Sequence, residues 1–122
     1  MREIKFRGLD KKGIWHYGYY WMSPDGECYI KERIAKTHSA DFRVRPETVG
    51  QYTGLKDKNG KEIYEGDIIS YRSKSDFQIY QEKVFWNIDG WVCGGIHLRY
   101  ATFDESEIIG NIYENPELLK EV

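Results

Sequence analysis

The side chains able to do covalent or metal chemistry are few in this sequence, and they are widely spaced. Cys28 and Cys93 are its two cysteines, and His16, His38 and His97 its three histidines. A thiol nucleophile needs a base beside it, and a zinc site needs paired ligands at short spacing. Neither Cys-x-x-Cys nor a Gly-x-Ser-x-Gly elbow occurs. The plain reading is two reduced thiols packed as small hydrophobes, with histidines on the surface or in packing roles. Metal-dependent hydrolysis would want clustered carboxylates, and Glu62, Glu65 and Asp67 are the nearest set. On a regular strand Glu65 and Asp67 share a face, although two acids flanking Gly66 also read as a solvated bend. No Walker loop, dinucleotide fingerprint or calcium loop is present. We therefore assign no catalytic residue, no cofactor and no metal site, and rank an enzyme built on Glu65 and Asp67 last among the functions considered.

Phosphate recognition has better material. Lys31, Arg33, Lys36, Arg43 and Arg45 fall close together, with Tyr29 and Phe42 nearby. Small barrels bind single-stranded nucleic acid by stacking bases on aromatics beside a basic groove, so these five residues form a candidate nucleic-acid site. The charge is polarised along the chain. Residues 1–61 hold 13 Lys and Arg against 8 Asp and Glu, a net of +5, whereas residues 62–122 hold 5 against 12, a net of -7. The overall charge of -2 falls short of the basic balance of a dedicated binder, so a solvated face paired with acids is the competing reading.

The elements that would position these residues are strands. Aromatic residues make up 16% of the chain, and aromatic and β-branched residues favour pleated, half-buried surfaces. Ile4 and Phe6 alternate with charges. From Ile14 to Met22, Trp15, Tyr17, Tyr19 and Trp21 occupy one face of a strand that reads as central, with both faces covered. Ser23-Pro24-Asp25-Gly26 is a turn signal, and Cys28 to Ile34 returns as a strand. Residues 35–48 show no clear period and carry Pro46, so they read as a long loop or irregular edge, with a short helical piece around 35–41 allowed. Asn59-Gly60 marks a tight turn, and Gly66 a bend within a strand running from Ile63 to Tyr71. Phe77 to Trp86 and Trp91 to Gly94 read as a hairpin about the turn at residues 87–90, and Ile108 to Tyr113 as the last strand. Asn115-Pro116 then starts a helical turn, with Asn115 as N-cap and Leu118 and Leu119 docking on the body. The expected fold is mainly β: one domain over 1–122, a small, partly open antiparallel β-barrel with a short C-terminal helical turn.

The mean hydropathy of -0.70 and the lack of an apolar run near the roughly 20 residues of a spanning helix argue against the membrane. The charged opening Met1-Arg2-Glu3-Ile4-Lys5-Phe6-Arg7 has no export signal, so a cytoplasmic location is expected.

Four stretches occur together in an order that resembles a known family. They are Arg2-Glu3-Ile4-Lys5-Phe6-Arg7, Trp15-His16-Tyr17-Gly18, the run Gln51 to Asp67 containing Tyr52-Thr53-Gly54-Leu55-Lys56-Asp57-Lys58-Asn59-Gly60, and the ending Ile109-Gly110-Asn111-Ile112-Tyr113-Glu114-Asn115-Pro116-Glu117-Leu118-Leu119. On these the chain resembles the YopX family; residues 27–48 and 72–107 carry no matching pattern. The resemblance implies a small β-rich protein of phages or prophages, with no biochemical activity to transfer. The long run also has a structural explanation in its turns, with Tyr52, Thr53, Asp57 and Asp67 as the residues that would line a surface if it binds. The leading expectation is a non-catalytic accessory protein that binds a protein partner or itself, with nucleic-acid binding as the alternative. A homo-oligomer follows from the opposed charge of the two halves and from 10 Tyr and 4 Trp, residues favoured at interfaces.

Overall fold

The computed structural model describes residues 4–73, 76–87, 90–93, 96–97 and 106–119. The chain divides into two compact units, Met1–Tyr52 and Thr53–Val122. Both are built of antiparallel strands, and among the described residues helix is confined to short 3₁₀ turns at Pro46–Thr48 and Pro116–Leu119.

In the first unit, strands β1 (Phe6–Leu9), β2 (Trp15–Met22), β3 (Cys28–Ala35) and β4 (His38–Val44) join the first residues of β5 (Gly50–Lys56). The order is β4-β3-β2-β1-β5. Local chemistry sets the turns. Asp10 Oδ1 accepts from the N–H groups of Lys12 and Ile14 while Gly13 takes a φ of 84°, which reverses the chain from β1 into β2. Cys28, Ile30 and Val44 form the buried core, with Phe6, Tyr20 and Val49 packed against it. Arg45 N–H donates to Leu9 O at 2.9 Å, bringing the end of β4 against β1. Among the described residues no strand ladder closes this sheet, so the barrel expected from the turn spacing is not formed by pairing.

Two sequence expectations change here. Of the two readings of residues 35–48, the irregular edge holds and the loop does not: His38–Val44 is a terminal strand paired with β3 from Cys28↔Val44 to Ala35↔His38 with a register shift at the tip, and residues 35–41 contain no helical piece. Its period is Ala40, Phe42 and Val44 against Asp41 and Arg43; Phe42 and Val44 turn to the core side, and the charged pair is exposed. The aromatic side of β2 is also not covered. Tyr17, Tyr19 and Trp21 are 42%, 68% and 39% exposed, because β2 is central in the ladder but packs on the core through one face alone.

In the second unit the remainder of β5 pairs with β6 (Glu62–Tyr64), and a second sheet has the order β10-β9-β8-β7-β11. Its strands are β7 (Asp67–Arg72), β8 (Ile79–Asn87), β9 (Gly90–Cys93), β10 (Ile96–His97) and β11 (Glu107–Asn111). The hairpin of β8 and β9 is present, pairing Asn87 with Gly90, although residues 88 and 89 of its turn lie outside the described residues. Ile63, Ile69, Tyr71 and Val84 form the core, with Leu55 and Ile108 beside it.

Two of the four stretches carrying the family resemblance, the run ending at Asp67 and the ending that starts at Ile109, meet in this unit. Gly66 adopts a φ of 92°, and a Cβ there would lie 2.9 Å from the Tyr113 ring. Ile112 N–H donates to Gly66 O at 2.9 Å. Asn115 takes the expected N-cap position, its C=O accepting from Leu118 N–H at 3.1 Å, but its side chain turns back: Oδ1 accepts from Asn111 N–H at 3.2 Å, while Asn111 Oδ1 accepts from the N–H groups of Tyr113 and Glu114. Two Asn side chains thus tie a closed loop over Gly110. Leu118 and Leu119 are half-buried rather than fully docked. Replacing both with Ala should lower stability by about 1 to 3 kcal/mol, below the range for full burial. A denaturant titration that leaves the midpoint unchanged would show that this turn contributes nothing to the fold.

Candidate nucleic-acid interface

Cross-strand pairing places side chains of opposed residues on the same face, so the register of the first unit shows what lies together. Tyr19 pairs with Lys31, and Lys31 with Asp41; Trp21 pairs with Tyr29, and Tyr29 with Arg43. The outward face of β2, β3 and β4 is therefore a mixed aromatic and charged surface. It has two parts with different electrostatics.

The first part is a groove of about 530 Å³ lined by Lys5, Lys31, Arg33, Lys36, Tyr17 and Tyr19, with His38 beside them and no carboxylate among its lining residues. Gly18 lies at its floor, where a Cβ would come within 2.0 Å of Lys31 O, so a side chain there would force β2 and β3 apart. Arg33 Nη2 donates to Lys36 O at 2.8 Å, holding the hairpin tip in shape. Lys5 Nζ sits 5.4 Å from the Tyr52 ring centroid.

The second part is charge-compensated. Trp21 stacks on Tyr29 with centroids 4.5 Å apart, and its indole N–H donates to Asp41 Oδ1 at 2.8 Å. That bond, with Lys31 Nζ at 3.2 Å, holds the Asp41 carboxyl below its ordinary pKa. Arg43 pairs with Glu27 at 2.6 Å. Arg45 lies with Lys11, Arg43, Glu27 and Glu47 around a separate hollow of about 350 Å³. Of the five basic residues singled out in the sequence, Lys31, Arg33 and Lys36 converge, whereas Arg43 and Arg45 lie toward the other end of the hairpin. Lys5, Tyr17 and Tyr19 were missed. For the two tyrosines the signal was the alternation along β2, whose two faces both read as covered.

His16 is buried between two carboxylates, with Nε2 2.8 Å from Asp10 Oδ2 and Nδ1 3.1 Å from Glu32 Oε1, and it stacks on Phe42 at 4.0 Å. Its two ring nitrogens are both engaged by side chains within the fold. Cys28 is buried in the core with Tyr20 Oη 3.5 Å away. His38 is exposed beside the Thr37 hydroxyl. Asp67 is 2% exposed and accepts from Tyr64 N–H at 2.7 Å, closing the Gly66 bend, while Glu62 accepts from the Tyr64 hydroxyl at 3.1 Å. Tyr52, Thr53 and Asp57 are likewise buried, Thr53 donating to Ile63 O. Among the described residues no three His, Cys, Asp or Glu side chains gather around a point that could hold a metal ion. The side chains of Cys93 and His97 lie outside the described residues. No described helix is long and apolar enough to cross a membrane.

Comparison with known proteins follows the same lines. No curated protein matches the chain. A solved structure described as protein EF1440 from Enterococcus faecalis is similar over 98% of this chain and 100% of its own, at 24% identity and a TM-score of 0.64, a likeness of fold. The family model described as YopX protein matches residues 5–120, which span both units, and the chain belongs to the YopX family.

Proposed function

We propose that this protein is a non-catalytic binding module of a phage or prophage, acting in the host cytoplasm as one YopX-like domain, and that its groove takes single-stranded nucleic acid. The observation that carries the reading is the groove composition: four cations and two tyrosines with no lining carboxylate. Cations on a strand face suit a phosphate backbone, and exposed rings offer stacking platforms tolerant of base identity. The overall charge of -2 then matters less than its distribution, since the lining itself holds no acid and Asp41 meets Lys31 from outside it. Arg43, paired with Glu27, and Arg45, near Glu47, contribute less than Arg33, and Lys31 shares its charge with Asp41 at 3.2 Å.

Fluorescence anisotropy with a labelled single-stranded oligonucleotide tests this. Binding should weaken steeply with salt, and Lys31→Ala with Arg33→Ala should flatten the salt slope by about 1 to 2. Tyr19→Ala should weaken binding about tenfold, as expected for loss of one stacked base. Absence of binding at low salt, or binding indifferent to these three changes, would remove the reading and leave a protein partner for this face.

A further inference from the structure

We infer that the free edge of β4 pairs with the β4 of a second copy of this chain, in an antiparallel register centred on Phe42. The inference does not depend on the nucleic-acid reading. Among the described residues β4 is terminal in the sheet order, with β3 as its paired neighbour. Arg45 N–H turns away from β3 to reach Leu9 O, and outward backbone groups recur at every second residue of an antiparallel strand. Those of Asp41 and Arg43 therefore point away from β3 as well.

Exposed edges are commonly protected by proline, a bulge or charged side chains, Lys above all. From Asp41 to Val44 the edge has no proline, bulge or Lys: Pro46 lies beyond the strand, and the register shift with β3 lies back at the hairpin tip. Its two outward charged residues are of opposite sign and two positions apart. That pattern is self-complementary. With Phe42 opposite its own copy, Asp41 of each chain faces Arg43 of the other, twice by symmetry, and each hydrogen-bonded pair exchanges two backbone bonds. Moving the register by two residues either way sets Asp41 against Asp41 or Arg43 against Arg43, so charge selects the register. Moving it by one turns the core side outward. Arg43 keeps its side chain 67% exposed even while paired with Glu27, leaving it able to reach a second acid. Phe42, half-buried against His16, meets its copy on the core side, where facing residues approach closely.

The test is a sedimentation-equilibrium series on the full chain over a wide concentration range, with circular dichroism and a thermal melt on each variant. The wild type should rise from 14.5 kDa toward twice that mass. Asp41→Arg and Arg43→Asp should each weaken association about tenfold or more, and the double exchange should restore it. Because Asp41 also holds Trp21 and Lys31, Arg43→Pro provides a second route: it removes one outward N–H and leaves the β3 ladder intact, so a folded variant should be monomeric. A wild type that stays at 14.5 kDa overturns the inference. So does a dimer indifferent to both charge reversals, or a folded Arg43→Pro dimer.

Discussion

Asp57→Ala should be the most damaging single change in the second unit, lowering stability by about 3 to 4 kcal/mol. The carboxylate is 6% exposed and accepts three backbone N–H groups. Oδ1 takes those of Asn59 and Lys61, at 2.9 and 3.0 Å, and so folds the turn between β5 and β6. Oδ2 takes that of Ile108 at 3.0 Å, joining the turn to the start of β11 across 51 residues of chain. Ala leaves three donors without their acceptor, and donors to a charged group are the costly ones to strand. Asp57→Asn separates the contributions. An amide oxygen placed at Oδ1 still serves the turn, while the amide nitrogen faces the Ile108 N–H, so this variant should lose less than Ala yet loosen β11. Chemical denaturation gives the energies, and amide exchange at Ile108 reports the local effect. A midpoint shift worth less than about 1 kcal/mol for Ala would show that water replaces the carboxylate without penalty.

In the first unit the corresponding change is His16→Ala, expected to cost about 2 to 4 kcal/mol. The ring bridges Asp10 at the β1–β2 turn and Glu32 on β3, and it stacks on Phe42 of β4. Its removal leaves two carboxylates facing a void. The same arrangement predicts a pH dependence. The His16 bond, aided by the Ile14 and Lys12 N–H groups, lowers Asp10 from 3.8 to about 2. A carboxyl whose folded pKa is depressed contributes stability that is complete above its unfolded value and is lost as pH falls through its folded value. That contribution should fade between about pH 4 and pH 2 in the wild type. It should fade at higher pH in His16→Phe, where the ring is kept and the bond is not. Urea titrations across that window should separate the two curves; superimposable profiles would show that His16 does not hold Asp10.

Much of this could be read along the chain, for identifiable reasons. Ser23 to Gly26, Asn59-Gly60 and Gly66 were legible because turn chemistry is local: one residue supplies a fixed or positive φ and a neighbour supplies an acceptor. The strands next to those turns followed from alternation. β4 was obscured because its basic residues and nearby Pro46 outweighed a three-step period of Ala40, Phe42 and Val44, although that period was present. The aromatic face of β2 was misassigned for a different reason. Alternation shows which side chains share a face, but which face meets the core depends on the partners brought over it, and these come from β3 and β4. Asp57 looked like an ordinary turn residue. Its bond to Ile108 spans 51 positions, a relation that no local pattern contains. The convergence of Lys5 with Lys31 and Arg33 is similar, since it rests on the order β3-β2-β1 rather than on spacing in the sequence.

The Asp57 turn also governs how the chain ages. Asn59-Gly60 is the dipeptide most prone to deamidation, in which the glycine nitrogen attacks the asparagine amide to form a succinimide. Here Gly60 N–H is committed to Asp57 O at 3.0 Å and Asn59 N–H to Asp57 Oδ1 at 2.9 Å, so the nitrogen that must lose its proton and attack is held in a hydrogen bond while the hairpin is closed. Attack must wait for the turn to open. The chemical lifetime of Asn59 is therefore set by the opening equilibrium of its hairpin rather than by the intrinsic reactivity of the dipeptide, and slow accumulation of the extra negative charge between Lys58 and Lys61 acts as a clock for that motion.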